Sequence, residues 1–288
     1  MRLASSVNGR PTVGGSPDGG RPQAAVCEES LGASATSLAL AANTNVRRPR
    51  DVRDRPDDYI ASSRYFLGAV AAMYTPSSFL ERDLPTLHDF IEAHPLATLV
   101  TKDSVTGFQA TPLPLILDRS VAPLGVLLGH VARANPHAKL DTAVPVEALV
   151  MFNGPDAYIT PAWYATKRET GRVVPTWNYV AVHAHCSMRI RDDADFLRAQ
   201  LEALTRFHES PRPTPWQVTD APADYVAQQM KAIVGIELRI DRLEGKWKMS
   251  QNRPGADIDG VVHGLGASPN PRDRAVGNLV QARRPATS

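Results

Sequence analysis

Between Ile236 and Asp241 apolar and charged residues alternate without interruption: Ile236, Leu238 and Ile240 against Glu237, Arg239 and Asp241. A period of two marks a strand with one covered face and one wet face. Val174 to Ile190 repeats the theme over a longer stretch. There Val180, Val182, Ala184, Cys186, Met188 and Ile190 share one side, and Tyr179, His183, His185 and Arg189 the other. The first strand runs into Gly245–Arg253, GKWKMSQNR, where Lys246, Lys248 and Arg253 are interleaved with Trp247, Ser250, Gln251 and Asn252. Buried cations need partners and buried amides need hydrogen bonds, so this cluster reads as surface rather than core. Its mixed donors suit an anionic ligand with hydrogen-bonding edges, the alternative being a solvated strand end.

Around these strands the chain organises from Met73 onward. Asp83 caps a helix with Leu84, Leu87, Phe90 and Ile91 on one face, ending at His94-Pro95. Leu96–Thr101 and Phe108–Leu117 read as a hairpin joined by a turn at 102–107. Pro112 and Pro114 deny the second strand ladder donors, so it is an edge or its backbone faces a ligand. Strands follow at Gly125–Val131 and Val146–Phe152. NGPDAYITPAWY reads as a turn and a short strand, and Thr166–Arg172 as a polar loop. Two helices come late. The first is capped by Asp192, with Phe196, Leu197, Leu201 and Leu204 inward; the second spans 222–232. Short helices around 258–265 and 272–282 close the chain, with 283–288 as a tail. Hairpin-linked strands with helices inserted late predict a mostly β or α+β fold, an antiparallel barrel with helical decoration.

Residues 1–72 differ from the rest, being rich in Gly, Pro, Ser, Ala and Arg with no sustained apolar period. Nothing there offsets ordering entropy, so the segment is expected to be a disordered extension, with 73–288 the folded domain and Met73 an alternative start. Its arginines are largely cancelled by Asp51, Asp54, Asp57 and Asp58, which argues against a basic arm for DNA. No stretch reaches membrane-span length. A net charge of +2 excludes a global electrostatic case for nucleic acid, and two isolated cysteines, Cys27 and Cys186, fit a reducing cytoplasm.

A second polar junction stands at ARANPHAK. Asn135 is a good N-cap with Pro136 in the first turn, and Arg133, His137 and Lys139 surround it. Free backbone donors beside cationic side chains make a phosphate site; a capped connector with surface charges is the other reading. His183 and His185 at i, i+2 lack a third ligand at useful spacing, so no metal is expected. No dinucleotide fingerprint, P-loop, nucleophile elbow or paired-cysteine motif occurs.

MYTPSSF, GHVARANPH, GPDAYITPAWY, VPTWNYVAVH and IVGIEL with LEGKWKMSQNR, in that order, resemble the PaiB-type FMN-binding negative transcriptional regulators. The resemblance covers Met73 to about Ala282. It implies a split β-barrel like that of pyridoxamine-phosphate oxidase, a homodimer, and FMN in a cleft between protomers. It further implies phosphate binding at Arg133, Asn135, His137 and Lys139. Thr98, Thr101 and Thr111 would flank the isoalloxazine. Trp177, Asn178, Lys248, Ser250, Gln251, Asn252 and Arg253 would complete the cleft from the partner chain, and Trp163 and Tyr164 are aromatic candidates for its wall. DNA is a partner by the family's name alone, since the sequence offers no DNA-reading element. Two alternatives stand beside a flavin-binding regulator: an FMN-dependent oxidase or reductase of a small molecule, and a haem-binding split barrel with His130, His183 or His185 as axial ligand.

Overall fold

A computed structural model describes residues 72–103 and 107–285. The leader, the tip of the first hairpin and the last three residues lie outside it. In chain order the elements are β1 (Leu80–Glu81), α1 (Leu84–Ala93), β2 (Leu96–Asp103), β3 (Gly107–Pro114), β4 (Ile116–Asp118), β5 (Val126–Ala132), β6 (Val146–Ile159), α2 (Ala165–Thr170), β7 (Thr176–Arg191), α3 (Ala194–Glu209), α4 (Ala223–Met230), β8 (Ile233–Lys248), α5 (Gly255–Gly266) and α6 (Pro271–Ala282).

The sheet is antiparallel with the order β3-β2-β6-β7-β8-β5-β4, and β1 pairs with β8. Its two ends, β3 and β4, are successive pieces of one extended segment broken at Leu115. β3 pairs with β2 and β4 with β5, so the ends meet and the sheet closes on itself. The chain itself links the two ends at Leu115, while β3 and β4 each keep one unpaired side among the described residues. The result is a split antiparallel barrel decorated with helices. Pro112 and Pro114 lie on β3, whose one ladder partner among the described residues is β2, as prolines in an edge position require.

Inward side chains alternate along each strand. Leu99, Leu127, Val150, Phe152, Val182, Ala184, Met188, Ile236 and Leu238 are completely buried in one core. Cys186 joins it, and burial pushes its thiol far above the usual range. At one end α1 packs Phe90 edge-on against Trp247 at 5.3 Å. Trp163 packs closely on α5, where a Cβ at Gly264 would collide with its indole and one at Gly260 with its backbone carbonyl, so that contact exists only because both positions are glycine.

Several expectations need correcting. β6 passes straight through Gly154 and Pro155 to Ile159 instead of turning, its one extra residue absorbed in a bulge between Asn153 and Asp156. Part of the Thr166–Arg172 loop is helical, tied down where Asp257 Oδ1 accepts from Thr166 N at 2.9 Å. The cap of α3 is Asp193, which accepts from Phe196 N at 2.7 Å, while Asp192 is used elsewhere. Leu201 and Leu204 are half-exposed, and the deeply buried residues of α3 are Leu197 and Gln200.

Candidate functional site

The GKWKMSQNR segment ends β8 in a tight turn whose own side chains staple it. Gln251 spends its amide locally: Oε1 accepts from Met249 N at 2.7 Å and Nε2 donates to Trp247 O at 2.6 Å. Ser250 has φ +63°, a left-handed conformation that costs a non-glycine residue energy. It is held there by Asn178 of β7, whose Nδ2 donates to Ser250 Oγ at 3.0 Å in a fully buried pair. Lys246, expected at the surface, is buried: Nζ donates to Tyr74 O at 2.8 Å and sits near the rings of Tyr74 and Tyr179. The carbonyl and the two π faces supply what burial of the ammonium demands.

Beside this turn lies a cavity of about 140 Å³, lined by Phe79, Val174, Thr176, Asn178, Lys248, Ser250, Asn252 and Arg253. Lys248 Nζ donates to Thr176 Oγ1 and Trp177 O, each at 2.6 Å. Burial, then the nearby charges of Lys246 and Arg253, push its ammonium below the ordinary lysine value. The Arg253 guanidinium lies over the Tyr164 ring at 4.7 Å. Tyr164 is buried, and burial raises its phenol above the ordinary value. Among the described residues no carboxylate pairs with Lys248 or Arg253. Phe79, Val174 and Thr176 escaped the sequence reading. Thr176 stands within the VPTWNY motif, whereas Phe79 arrives from a distant turn that no local pattern links to β8.

The second predicted group assembles differently from expectation. Arg133 does not present its guanidinium to a ligand: Nη1 and Nη2 donate to Asp192 Oδ2 and Oδ1, each at 2.7 Å, and further N–H groups donate to Lys231 O and Ile233 O. It is a strut between β5, the start of α3 and the start of β8. Asn135 caps a short 3-10 turn, Oδ1 accepting from His137 N at 2.9 Å. His137 is fully buried, with Nδ1 3.0 Å from Thr111 Oγ1, and burial holds its imidazole below the ordinary value. Its Nε2 and the Thr101 hydroxyl are buried without hydrogen-bond partners among the described residues. Thr101 and Thr111 point into the barrel, Thr98 points out, and Lys139 is exposed. Of the histidines of the haem alternative, His130 lies on β5, while His183 and His185 share the outward face of β7. His130 Nδ1 lies 2.8 Å from Gln200 Oε1, and His185 Nε2 lies 3.1 Å from Glu244 Oε2. Burial, opposed by Glu244, lowers His183.

One outward face runs from Thr98 to the cationic turn. Outward residues in register across four strands form the rows Val100–Leu149–His185–Arg242 and Thr98–Met151–His183–Glu244. Beyond them come Asn153–Ala181–Lys246, then Tyr179–Lys248, then Tyr158 and Trp177, whose rings meet edge to face at 5.9 Å. Trp177 and Val174 are more than half exposed. Val100, Leu149, Met151, Tyr158, Tyr179 and Trp177 give the strip apolar and aromatic surface for a planar ring, interleaved with the polar and charged Thr98, His183, His185, Arg242, Glu244, Lys246 and Lys248, and the cations at its end suit an oxyanion. Such a residue set fits a flavin bearing a phosphate.

Comparison with known proteins agrees. A family profile described as "Putative FMN-binding domain" matches residues 73–242. An uncharacterised protein of Emericella nidulans is 37% identical over 73% of this chain and 97% of its own length. Protease synthase and sporulation protein PAI 2 of Bacillus subtilis is 29% identical over the same shares, 73% and 97%. Among solved structures, the FAD and haem binding protein of Mycobacterium smegmatis superposes with a TM-score of 0.42 at 19% identity, over 62% of this chain and 78% of that one. With a closed antiparallel barrel, an outward strip fit for a flavin and a profile match over most of the barrel strands, the chain belongs to the PaiB-type family of FMN-binding split barrels.

Proposed function

We propose that the protein is a homodimeric, cytoplasmic negative transcriptional regulator that holds its FMN in a cleft shared between two copies. One observation supports the shared cleft above the others. The Asn135 turn follows Ala132, which pairs with Ile233 at the start of β8, whereas Lys248 ends the same strand. Through its bond to Thr111 the Asn135 turn also stands four strand spacings, about 19 Å, across the sheet from Leu243 of β8, and Lys248 lies about 17 Å further along that strand, together more than one flavin spans. The Asn135–Lys139 turn and Thr98 of one copy therefore meet Trp177 and the Lys248–Arg253 turn of the other around each flavin. A covered outward strip also removes apolar surface from water.

Bound there, FMN supplies a redox-active ring. The chain's own groups bind and orient it: cations for its anionic parts, Thr98 and the amides for its polar edge, Met151 and Trp177 for its plane. The residues lining the cavity supply cations, hydroxyls and amides but no carboxylate or imidazole, and the His185–Glu244 pair stands apart on the strip, which favours a regulatory flavin over a substrate-processing one. Among the described residues no helix is long and apolar enough to cross a membrane.

The test is to purify the protein, record its absorption spectrum and mass in solution, and offer it fragmented genomic DNA with and without FMN. Flavin bands on a dimer that retains DNA in a flavin-dependent way support the proposal. A flavin-loaded monomer sinks the shared cleft, and a flavin-loaded dimer that retains no DNA sinks the regulatory role.

A further inference from the structure

We infer that the cavity beneath Lys248 and Arg253 binds a second ligand: a small acidic molecule whose single carboxylate or phosphate enters the cavity while its remainder lies against the flavin. Only the words "against the flavin" rest on the shared cleft proposed above; the oxyanion site stands on its own geometry.

Charge is the first argument. The arginines at 119, 133, 191, 198, 212, 242, 283 and 284 each pair with a carboxylate. Among the described residues Lys248 and Arg253 have no carboxylate partner, although they line one cavity with Lys246 close by. Three crowded cations with no acid leave a standing positive potential in a partly desolvated place, which an anion relieves. The buried acid Asp257 is spent on Thr166, accepting from its backbone N–H and its hydroxyl.

Size and shape come next. About 140 Å³ is well below the ~300 Å³ at which pockets for whole drug-sized ligands begin, yet ample for one oxyanion. Two of the three Lys248 N–H groups are fixed on Thr176 and Trp177, leaving one for a ligand. The Tyr164 ring holds the Arg253 guanidinium from one side, and Asn178 holds Ser250 in its left-handed conformation. The donors are thus set before any ligand arrives, and Phe79 and Val174 add apolar wall for its carbon part.

The same chemistry has a second source, the phosphate of FMN itself, and the experiment separates the two. Inorganic phosphate is titrated calorimetrically into the full-length protein saturated with FMN, and into the flavin-free protein, both in low-chloride buffer. Saturable millimolar binding to the FMN-saturated protein is expected. Arg253→Gln and Lys248→Met should each weaken it roughly tenfold, with Arg253→Lys recovering most of the loss. Circular dichroism confirms that each variant is folded. Phosphate binding to the flavin-free protein alone, abolished once FMN is added, would assign the cavity to the cofactor and overturn the inference. No saturable binding to either form would overturn it as well, while FMN uptake in that protein would leave the cofactor reading intact. Should the protein take up no FMN at all, variant-sensitive phosphate binding would still support the oxyanion site while the shared cleft failed.

Discussion

Asn178 and Ser250 lie 72 residues apart in the chain, are both buried, and are joined by a 3.0 Å hydrogen bond from the Asn178 amide to the Ser250 hydroxyl. That bond holds a non-glycine residue at φ +63° where β8 gives way to the cationic turn. Asn178, expected from the family resemblance to touch the flavin, lines the cavity and also fixes Ser250 beside it.

Asn178→Ala leaves a buried hydroxyl without its donor and a small void, at a cost of about 1–3 kcal/mol. Ser250→Gly loses the same bond but also sheds the left-handed penalty, so its loss should be smaller. Urea unfolding of the two variants orders them. An Asn178→Ala protein as stable as wild type would mean that the pair does not hold the turn.

Arg133 and Asp192 form a closed fork, so their contribution is to the junction of β5, α3 and β8 rather than to a phosphate. Arg133→Ala, which also forfeits the bonds to Lys231 O and Ile233 O, should lower the urea midpoint more than Asp192→Ala, and the double variant by little more than Arg133→Ala alone. Arg133→Ala should affect FMN and riboflavin alike. Lys139→Ala, removing an exposed cation free of carboxylates among the described residues, should weaken FMN roughly tenfold and riboflavin hardly at all. A phosphate-selective loss in Arg133→Ala would show that the fork opens for the cofactor.

Burial is the leading cause that holds both His137 and His183 below the ordinary imidazole value of 6.5. The unfolded chain takes up protons at these histidines near pH 6.5, whereas the native protein does so only at lower pH. In the window between, the unfolded state binds more protons, so stability rises with pH. The contribution is complete above the unfolded value and is lost as pH falls below it. His137→Gln should flatten the slope of urea midpoint against pH in that window, whatever it does to the midpoint itself. An unchanged slope would remove His137 from the account.

How much of this was legible in the sequence follows from what each residue reports locally. The alternations along β7 and β8 announce their faces because every second side chain enters the core, and Asp83 does cap α1, accepting from Thr86 N at 3.0 Å. Gly154 and Pro155 misled because the ladder from β7, not their own propensity, keeps β6 extended. Lys246 misled because the tyrosines that shelter it, Tyr74 and Tyr179, come from elsewhere in the chain. Arg133 carried no mark of its partner, since Asp192 sits 59 residues away and looked like a helix cap.

The profile match begins at Met73, and Met73 N donates to Glu244 Oε2 at 3.1 Å, so the described fold engages the chain from that residue. A chain starting at Met73 should fold, form dimers and take up FMN as the full chain does. Loss of dimer or of flavin in the shortened protein would assign residues 1–72 a structural part.

The shared cleft makes the sharpest prediction. Lys139 stands near the start of the strand path that Lys248 ends, and Arg253 follows Lys248 by a single turn. If each flavin lies between the Lys139 turn of one copy and the Arg253 turn of the other, Lys139→Ala and Arg253→Ala homodimers each carry two damaged sites. A heterodimer of the two places both defects in one site and leaves the other wild type. Mixing the variants after unfolding and refolding them together should therefore restore one tight FMN site per heterodimer, measured by flavin fluorescence on material separated by two different tags. Heterodimers that form and bind FMN no better than their parents would show that Lys139 and Arg253 serve the same protomer, or that one of them serves no flavin.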